Sequence, residues 1–330
     1  MKCRISVILP VFNEESYIAQ AIESVLDQSF DDFELIIVND GSTDSTLNVI
    51  EEFNDSRIRL INQTNMGPGA ARNRALDIAC GEYVMFLDGD DFFCPDALKT
   101  AYGEITKYDA DISMFQIIKY CEGEFSKNEW FGLNNFGEEF ENRPFSPDEC
   151  GDFLFDISVS ACQKIFRRSF LTKINARFPE GIYFEDMPFF FYTFLNAKRI
   201  SVIKKYLYAR RKHPGSITET VDGKFLDTVE AGRIMMDIFI ENESYDIYKF
   251  DLLAFKINGP RYALMAIEEK YKKYLYLLIK KDYEQIKSSR YYEDYLDNLG
   301  PVKKKFFKDI LKSRDYEDFK TLNQTKSGPA

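Results

Sequence analysis

The apolar run Tyr83 to Leu87 ends in Asp88, Gly89, Asp90 and Asp91. Carboxylates at the end of a buried strand need a reason, because an ionised carboxylate taken out of water is costly unless it meets a cation or hydrogen-bond donors. Two arrangements satisfy that. In one, the turn is exposed and solvated. In the other, Asp88 and Asp90, two apart on extended backbone, point the same way. They then share a hard divalent cation through oxygen ligands, leaving positions for water and phosphate. Gly89 lets the backbone come close to a ligand. The triplet alone does not choose between them, and it leaves Asp91 without a role.

Two further stretches combine reactive types. In "YFEDMPFFF" (183–191), Glu185 and Asp186 precede Pro188, as in a first helical turn. Acids there are stabilised by the helix dipole and by capping, and a carboxylate can also serve as a general base. In "YARRKHPGSIT" (208–218), Arg210, Arg211, His213 and Ser216 form a basic segment after a strand-like run. The chain's only histidine lies in it.

These clusters need elements to hold them. Arg4 to Leu9 reads as a buried strand ended by Pro10, with Asn13 placed to cap a helix whose apolar positions are Ile18, Ile22, Val25 and Leu26. Glu34 to Val38, Ile58 to Ile61 and Tyr83 to Leu87 are further strands. Helices separate them, one capped by Thr43 or Asp44, one opened by Gly67 to Gly69 and one starting near Pro95. Such alternation implies an α/β fold with a mostly parallel central sheet flanked by helices. Ligands bind such sheets outside the carboxyl ends of the strands. Phe12 to Glu14, Asn39 to Asp44 and Asp88 to Asp91 converge there. From Asp111 the pattern is mixed, with strands expected over 111–120 and 199–210, a helix start at Ser146-Pro147 and a short helix over 185–196. After Gly223 the chain reads as a helical appendage rich in tyrosine and lysine. The expected organisation is a catalytic domain over 1–223, divided at 110, and a helical region over 224–330.

The net charge of −11 argues against a general nucleic-acid binder. Six cysteines occur with no C-x-x-C pair, which disfavours a zinc site of the usual type. No apolar run is long enough to span a bilayer. With no signal peptide at the N-terminus, reduced thiols and a cytoplasmic location are expected.

Four motifs occur in order: "VILPVFNEE" (7–15), "IIVNDGSTDST" (36–46), "NMGPGAARNRAL" (65–76) and "YVMFLDGDD" (83–91). Together they closely resemble the nucleotide-binding half of family 2 glycosyltransferases, the inverting GT-A (Rossmann-like) enzymes. A weaker likeness continues through "KIFRRSFL" (164–171), "RFPEGIYFEDMPFF" (177–190) and "YARRKHPGSIT", as in enzymes that build capsule, lipopolysaccharide, teichoic-acid or exopolysaccharide chains.

The resemblance implies a nucleotide-sugar donor, most simply a UDP-sugar, with Mn²⁺ or Mg²⁺ as cofactor. Pro10, Val11, Phe12 and Glu14 would line the nucleoside pocket, with Asn65, Gly67 and Gly89 beside the donor. Asp40 would accept from the uracil imide N–H, which suits an acceptor-only group. Arg72 would contact the base or a nearby phosphate, and Arg74 would face elsewhere. Asp88 would be the ribose-side or metal-side acid and Asp90 the main metal ligand, with His213 as an alternative member of the metal shell and Asp91 either supporting the loop or meeting the acceptor. Asp186 would be the general base, with Glu185 as its substitute. Arg210, Arg211, His213 and Ser216 would close over the diphosphate. Relatives often carry tryptophan near the position of Cys162 and Gln163, as part of an acceptor floor. Here the only tryptophan is Trp130, so the acceptor is not carried over from them.

The expected acceptor is a glycan or a lipid-linked glycan, and the C-terminal tyrosines and lysines serve either helical packing or peripheral membrane contact. A sugar-nucleotide nucleotidylyltransferase would want a Gly-rich loop with Arg or Lys after the first strand, which "PVFNEES" is not. A degenerate, inactive binding module is the other alternative. Retention of Asp88, Asp90 and Asp186 together counts against it.

Overall fold

The structure is a computed structural model that describes residues 3–127, 132–213 and 222–324. Trp130 and Ser216 lie outside the described residues. The chain divides into two units, Met1–Gly181 with Glu185–Ser216, and Ile182–Phe184 with Ile217–Ala330.

In the first unit, β1 (Ile5–Val11), β2 (Phe33–Asn39), β3 (Ile58–Asn62) and β4 (Tyr83–Phe86) are all parallel, in the order β3-β2-β1-β4. Every residue of β1 and β2 is buried, as expected of strands covered on both faces. The helices between them are α1 (Ile18–Leu26), α2 (Thr46–Glu51) and α3 (Pro68–Ile78), and α4 (Ala97–Lys107) follows β4. Beyond these come β5 (Phe92–Phe93), β6 (Ile112–Cys121), β7 (Glu124–Lys127), β8 (Lys164–Arg167), α5 (Arg168–Lys173), α6 (Asp186–Asn196) and β9 (Ile200–Arg211). Among the described residues the strands form one nine-stranded sheet, which continues from β4 as β8-β6-β9-β5 with β7 paired to β6. β8 runs antiparallel to both β4 and β6, while β6 and β9 are parallel. The sheet is therefore parallel in its first half and mixed beyond it.

Two local expectations change. Pro10 does not end β1, which runs on to Val11 with Pro10 opposite Val38. Ile8 O accepts from Leu87 N, so Pro10, two residues on, points to the same side, past the end of β4. No ladder partner is lost there, and proline is tolerated. Asn13 does not cap α1, which starts at Ile18. Its backbone is left-handed at φ 57°, and its side-chain oxygen accepts from Thr43 N–H at 2.8 Å. It therefore ties the ends of β1 and β2 together.

α3 is short of bulk by design of its sequence. Gly69, Ala70, Ala71 and Ala75 are buried along it, so it lies close to the segment around Pro179. A Cβ at Gly69 would sit 2.3 Å from Pro179 O. Asn73 locks the approach, donating to Phe178 O at 2.9 Å and accepting from Phe178 N–H at 3.0 Å.

The second unit begins with a turn over Gly223–Asp227. It continues as α7 (Thr228–Glu241), α8 (Tyr245–Ala266), α9 (Glu269–Lys287), α10 (Tyr292–Asn298), α11 (Pro301–Lys312) and α12 (Tyr316–Gln324). Its core is aromatic. Tyr276, Tyr283 and Tyr295 are fully buried, and Tyr295 stacks on Phe307 with ring centroids 5.2 Å apart. Part of the tyrosine content is thus packing.

Gly69→Ala is expected to cost about 1–3 kcal/mol of stability, the usual cost of forcing atoms into a packed interface. An unchanged denaturation midpoint in urea would show that α3 does not depend on this close approach.

Candidate active site

The site is built where β1, β2 and β4 end and α6 begins, within the first unit. Arg72, on α3, is its centre and is 4% exposed. Its Nη2 donates to Asp88 Oδ1 at 2.9 Å, and its Nη1 donates to Glu185 Oε1. Asp186 Oδ1 lies 3.5 Å from the same Nη1. The guanidinium rests over the Phe178 ring, 5.2 Å from its centroid, in the segment that Asn73 fixes. Burial works against the charge of Arg72, but Asp186, Asp88 and Glu185 outweigh it and hold the guanidinium charged. The sequence placed Arg72 against a base or phosphate. In the structure its terminal nitrogens donate to Asp88 and Glu185 and lie at ion-pair distance from Asp186, while its buried Nε makes no hydrogen bond among the described residues. Arg74 is exposed, as expected.

Asp186 and Glu185 differ in their surroundings. Glu185 is held in its ion pair with Arg72. Asp186 Oδ2 accepts from Ala161 N–H at 3.3 Å, and its buried Oδ1 makes no hydrogen bond among the described residues. Burial raises the pKa of both. For Asp186, Arg72 opposes that rise most, with the Ala161 N–H and Lys164 helping, while Asp88 adds to it. Lys164 is wholly buried, donating to Ser158 O at 2.9 Å and Ser160 O at 2.7 Å. Its Nζ lies 4.6 Å from the Phe190 ring centroid, and burial lowers its pKa to about 7. Lys164 has no role in the sequence reading; a lysine heading the apolar pair Ile165-Phe166 is the signal that points to it. Cys162 and Gln163, in the place of an acceptor floor, are both buried.

On the other side of the DGD turn, Asp90 Oδ2 lies 3.0 Å from His213 Nε2. Burial raises the pKa of Asp90, and Asp88 raises it further, with His213 opposing. Glu14 is pushed up to about 8, by burial first and then by Asp90, Asp88 and Asp44. A Cβ at Gly89 would lie 3.1 Å from Glu14 Cγ and from Val11 Cγ2, so the turn packs directly on the end of β1. Asp91 points the opposite way, into the protein.

At the nucleoside side, Pro10 and Val11 are buried and Phe12 is exposed. Asp40 is 3% exposed. Its Oδ1 accepts from Gln63 Nε2 at 2.8 Å and Met66 N–H at 2.9 Å, and its Oδ2 from Gly67 N–H at 2.8 Å. A carboxylate offers about four lone-pair directions, and three of those of Asp40 are taken by these partners. Asp40 is first the clamp of the loop carrying Asn65 and Gly67. Arg211 does not extend toward a diphosphate. Its Nε donates to Asp90 O at 2.8 Å and its Nη2 to Gln20 Oε1 at 2.5 Å, and its guanidinium is packed among Tyr17, Phe92 and Tyr120. Aromatic rings on β5, β6 and the turn before α1 hold it beneath the acids. Arg210 lies beside it on β9, half-buried and opposite Lys119.

A second cluster joins residues the sequence did not connect. Ligand atoms of Cys3, Glu34 and Cys80 lie within 4.8 Å of one another, at the opposite ends of β1, β2 and β4. This geometry can hold a metal. Glu34 already accepts from Ser6 Oγ at 2.6 Å, Cys80 N–H at 2.7 Å and Arg59 Nη1 at 2.9 Å. Burial pushes the Cys3 thiol up to about 12. A metal there would have to displace Arg59 and strip that proton.

Residues 6–173 match the family model described as glycosyl transferase family 2. The chain belongs to that family. It is 30% identical over 224 residues to glycosyltransferase GlyG of Streptococcus pneumoniae, covering 66% of this chain and 73% of GlyG. It is 28% identical over 255 residues to GlyA of the same organism, covering 74% of this chain and 36% of GlyA. With the poly(ribitol-phosphate) β-N-acetylglucosaminyltransferase TarS of Staphylococcus aureus it shares 31% identity over 217 residues, 63% of this chain and 36% of TarS. The chain thus spans about a third of GlyA and of TarS. The solved structure of TarS 1–349 with UDP-GlcNAc superposes with a TM-score of 0.75 at 23% identity, covering 98% of this chain and 91% of that one. The fold is therefore the GT-A-like arrangement with a C-terminal helical extension, and the enzyme is a glycosyltransferase of the family 2 type.

Arg72→Met should destabilise the chain by about 3–5 kcal/mol near neutral pH, because it leaves buried carboxylates without their cation. The loss should shrink toward about pH 5. Without Arg72 the folded-state pKa values of Glu185 and Asp186 rise further above the unfolded values, so the folded variant binds more protons and loses stability as pH increases. Urea titrations at about pH 5 and about pH 8 test this. A loss equal at both would show that the hub is not electrostatic.

Proposed function

We propose that this family 2 enzyme moves a sugar from a UDP-sugar to a hydroxyl of a glycan or lipid-linked glycan, with inversion at the anomeric carbon, in assembly of a bacterial surface polysaccharide. The carrying observation is that one guanidinium spans the DGD turn and the start of α6. Asp88 Oδ1 and Asp186 Oδ1 sit 2.9 Å and 3.5 Å from its two terminal nitrogens. A sugar held by its diphosphate at the turn therefore meets a carboxylate oxygen with no other hydrogen-bond partner. The structure of TarS with UDP-GlcNAc supports a uridine donor, and its poly(ribitol-phosphate) substrate supports a cell-wall or capsular acceptor.

In this reading Asp186 Oδ1 takes the proton from the acceptor hydroxyl as that oxygen attacks the anomeric carbon from the face opposite the diphosphate. The new glycosidic C–O bond forms as the bond to the diphosphate breaks, and UDP leaves with the bonding electrons. Arg72 keeps Asp186 ionised enough to accept, while burial keeps it basic. Glu185 neutralises one side of Arg72, so the guanidinium does not hold Asp186 too tightly. Glu14 and Gly89 shape the floor under the diphosphate. Asp40 fixes the loop of Asn65 and Gly67, with its free Oδ2 direction turned to the base.

The donor types beside the DGD turn suit a hard divalent ion, although Asp88, Asp90 and His213 do not bring three ligand atoms within 4.8 Å of one another. Asp88, Asp90 and His213 offer carboxylate oxygens and one imidazole, and burial, with Asp88 adding, raises the pKa of Asp90. When bound, Mn²⁺ or Mg²⁺ supplies charge neutralisation on the departing diphosphate. A related fold, the mannosyltransferase PcManGT of Pyrobaculum calidifontis, was solved with GDP-Man and Mn²⁺.

No helix among the described residues is long and apolar enough to cross a membrane. A cytoplasmic enzyme touching the inner face of the membrane fits the second unit. There Ile247, Phe250, Tyr262 and Met265 are exposed on α8, and Tyr274 and Leu277 on α9, with Lys270 and Lys273 exposed on α9.

Asp186→Asn should keep UDP binding and lose about 10²–10⁴-fold in transfer, the usual contribution of a general base. UDP release from UDP-glucose, UDP-galactose and their N-acetyl forms, with Mn²⁺ and a glycan acceptor panel, measures it. Undiminished turnover would remove Asp186 as the base. In the same preparation Asp90→Ala should abolish the Mn²⁺-dependent part of UDP binding; an intact Mn²⁺ effect would move the metal elsewhere.

A further inference from the structure

Asp91, the third acid of the opening triplet, is taken up by none of these roles. It is 4% exposed and faces away from the donor side. Its Oδ2 accepts from Tyr208 Oη–H at 2.6 Å, and its Oδ1 accepts from Arg211 N–H at 2.7 Å. Both partners lie on β9. The Tyr208 hydroxyl is used twice, because its oxygen also accepts from Asp88 N–H at 3.2 Å. Arg211 is used twice as well, since its Nε donates to Asp90 O. Two residues after Arg211 comes His213, whose Nε2 meets Asp90 Oδ2 at 3.0 Å.

One buried carboxylate therefore closes two loops of contacts. The first runs Asp91, Tyr208, Asp88 backbone. The second runs Asp91, Arg211, Asp90 backbone, and delivers His213 to the Asp90 side chain. The phenol ring itself is fixed by Phe93, 5.8 Å away edge-on, while β5 pairs with β9 through Phe92 opposite Ala209 and Phe93 opposite Tyr208. The acids of the DGD turn and the imidazole thus come from chain segments 123 residues apart but share one anchor.

We propose that Asp91 is a positioning residue: through Tyr208 and Arg211 it sets the spacing of Asp88, Asp90 and His213, and so the affinity of the donor site for its divalent cation. The inference rests on the reading of those three residues as the cation side of the donor site. The chemistry of the anchor is specific. Tyr208 already receives the Asp88 N–H, so its own proton needs an acceptor, and Arg211 N–H needs a second. A carboxylate supplies both. Asparagine supplies one acceptor oxygen and turns an NH₂ against the other donor. Phenylalanine at 208 removes the link to Asp88 while leaving the ring packing in place.

The test is the Mn²⁺ concentration that half-saturates the thermal shift of the protein in excess UDP, measured for the parent, Asp91→Asn and Tyr208→Phe. Residues that orient metal ligands change metal affinity by about 10–100-fold when altered, so both variants should need about tenfold more Mn²⁺ or beyond. UDP alone, without metal, should shift each variant as it shifts the parent. A merely structural role would lower the melting temperature without ligand and leave the Mn²⁺ midpoint where it was, and that result would overturn the proposal. Tyr208→Phe, the gentler change, decides the matter if Asp91→Asn does not fold. A parent with no Mn²⁺-dependent UDP binding would bring down the donor-site reading itself, and this inference with it. The parent arm separates that failure from a variant that keeps the parent's midpoint.

Discussion

A buried guanidinium facing three carboxylates is the constraint on which the rest of the structure depends. Arg72 is buried, so its charge survives because Asp88, Glu185 and Asp186 stand around it. The converse holds for the acids, which would otherwise be protonated in so dry a place. Arginine suits the task because its planar fork presents several donors at fixed angles, which a lysine would not. To bring that fork so deep, α3 has to approach the segment at Pro179 closely, and the small residues from Gly69 to Ala75 make the approach possible. The motif "GPGAARNRAL" is thus one mechanical unit: a start, a thin helix, an arginine and an asparagine that locks it.

The acids of the DGD turn divide their work by direction. Asp88 and Asp90 face the ligand side, and Asp91 faces the sheet. On the outward side Glu14 and Asp90 are raised above the ordinary carboxylate range, each by burial first, then Glu14 by Asp90 and Asp88 and Asp90 by Asp88. On the inward side Asp91 is raised as well, by burial first and then by Asp90 and Asp88, and the Tyr208 hydroxyl and the Arg211 N–H oppose that rise. Each acid of the turn thus has its own protein partner: Arg72 for Asp88, His213 for Asp90, and Tyr208 with the Arg211 amide for Asp91.

Much of this was legible in the sequence, and the reason is that the legible part is local. The alternation of apolar strands and helices fixed which strand ends carry the polar clusters, since period and loop length are properties of short windows. The motifs placed Asp88, Asp90, Glu185 and Asp186 near one another through their resemblance to a family. Long-range choices left no local trace. β8 enters the sheet antiparallel between β4 and β6, a pairing its own four residues do not announce. Arg72 and Glu185 are 113 residues apart, and Cys3 and Cys80 are 77 apart, so their partnerships emerge only from packing. Pro10 and Asn13 misled for a related reason. Their usual local meanings, strand breaker and helix cap, were overridden by where β4 ends and by the neighbouring Thr43.

In the proposed reaction, the setting of Asp186 lets the hub serve chemistry as well as stability. A base must be ionised to accept a proton and yet bind that proton firmly once it arrives. Burial provides the second property and endangers the first. Arg72 restores the first, with Lys164 and the Ala161 amide contributing less. Were Arg72 to bind Asp186 alone, the ion pair would be too favourable to give up. Glu185 prevents this by taking one terminal nitrogen in its own hydrogen bond, which leaves Asp186 at the looser distance of 3.5 Å and its Oδ1 without a hydrogen bond. The neighbouring glutamate thereby acts as a counterweight, and the pair Glu185-Asp186 is better understood as one tuned base than as two candidates for the same role.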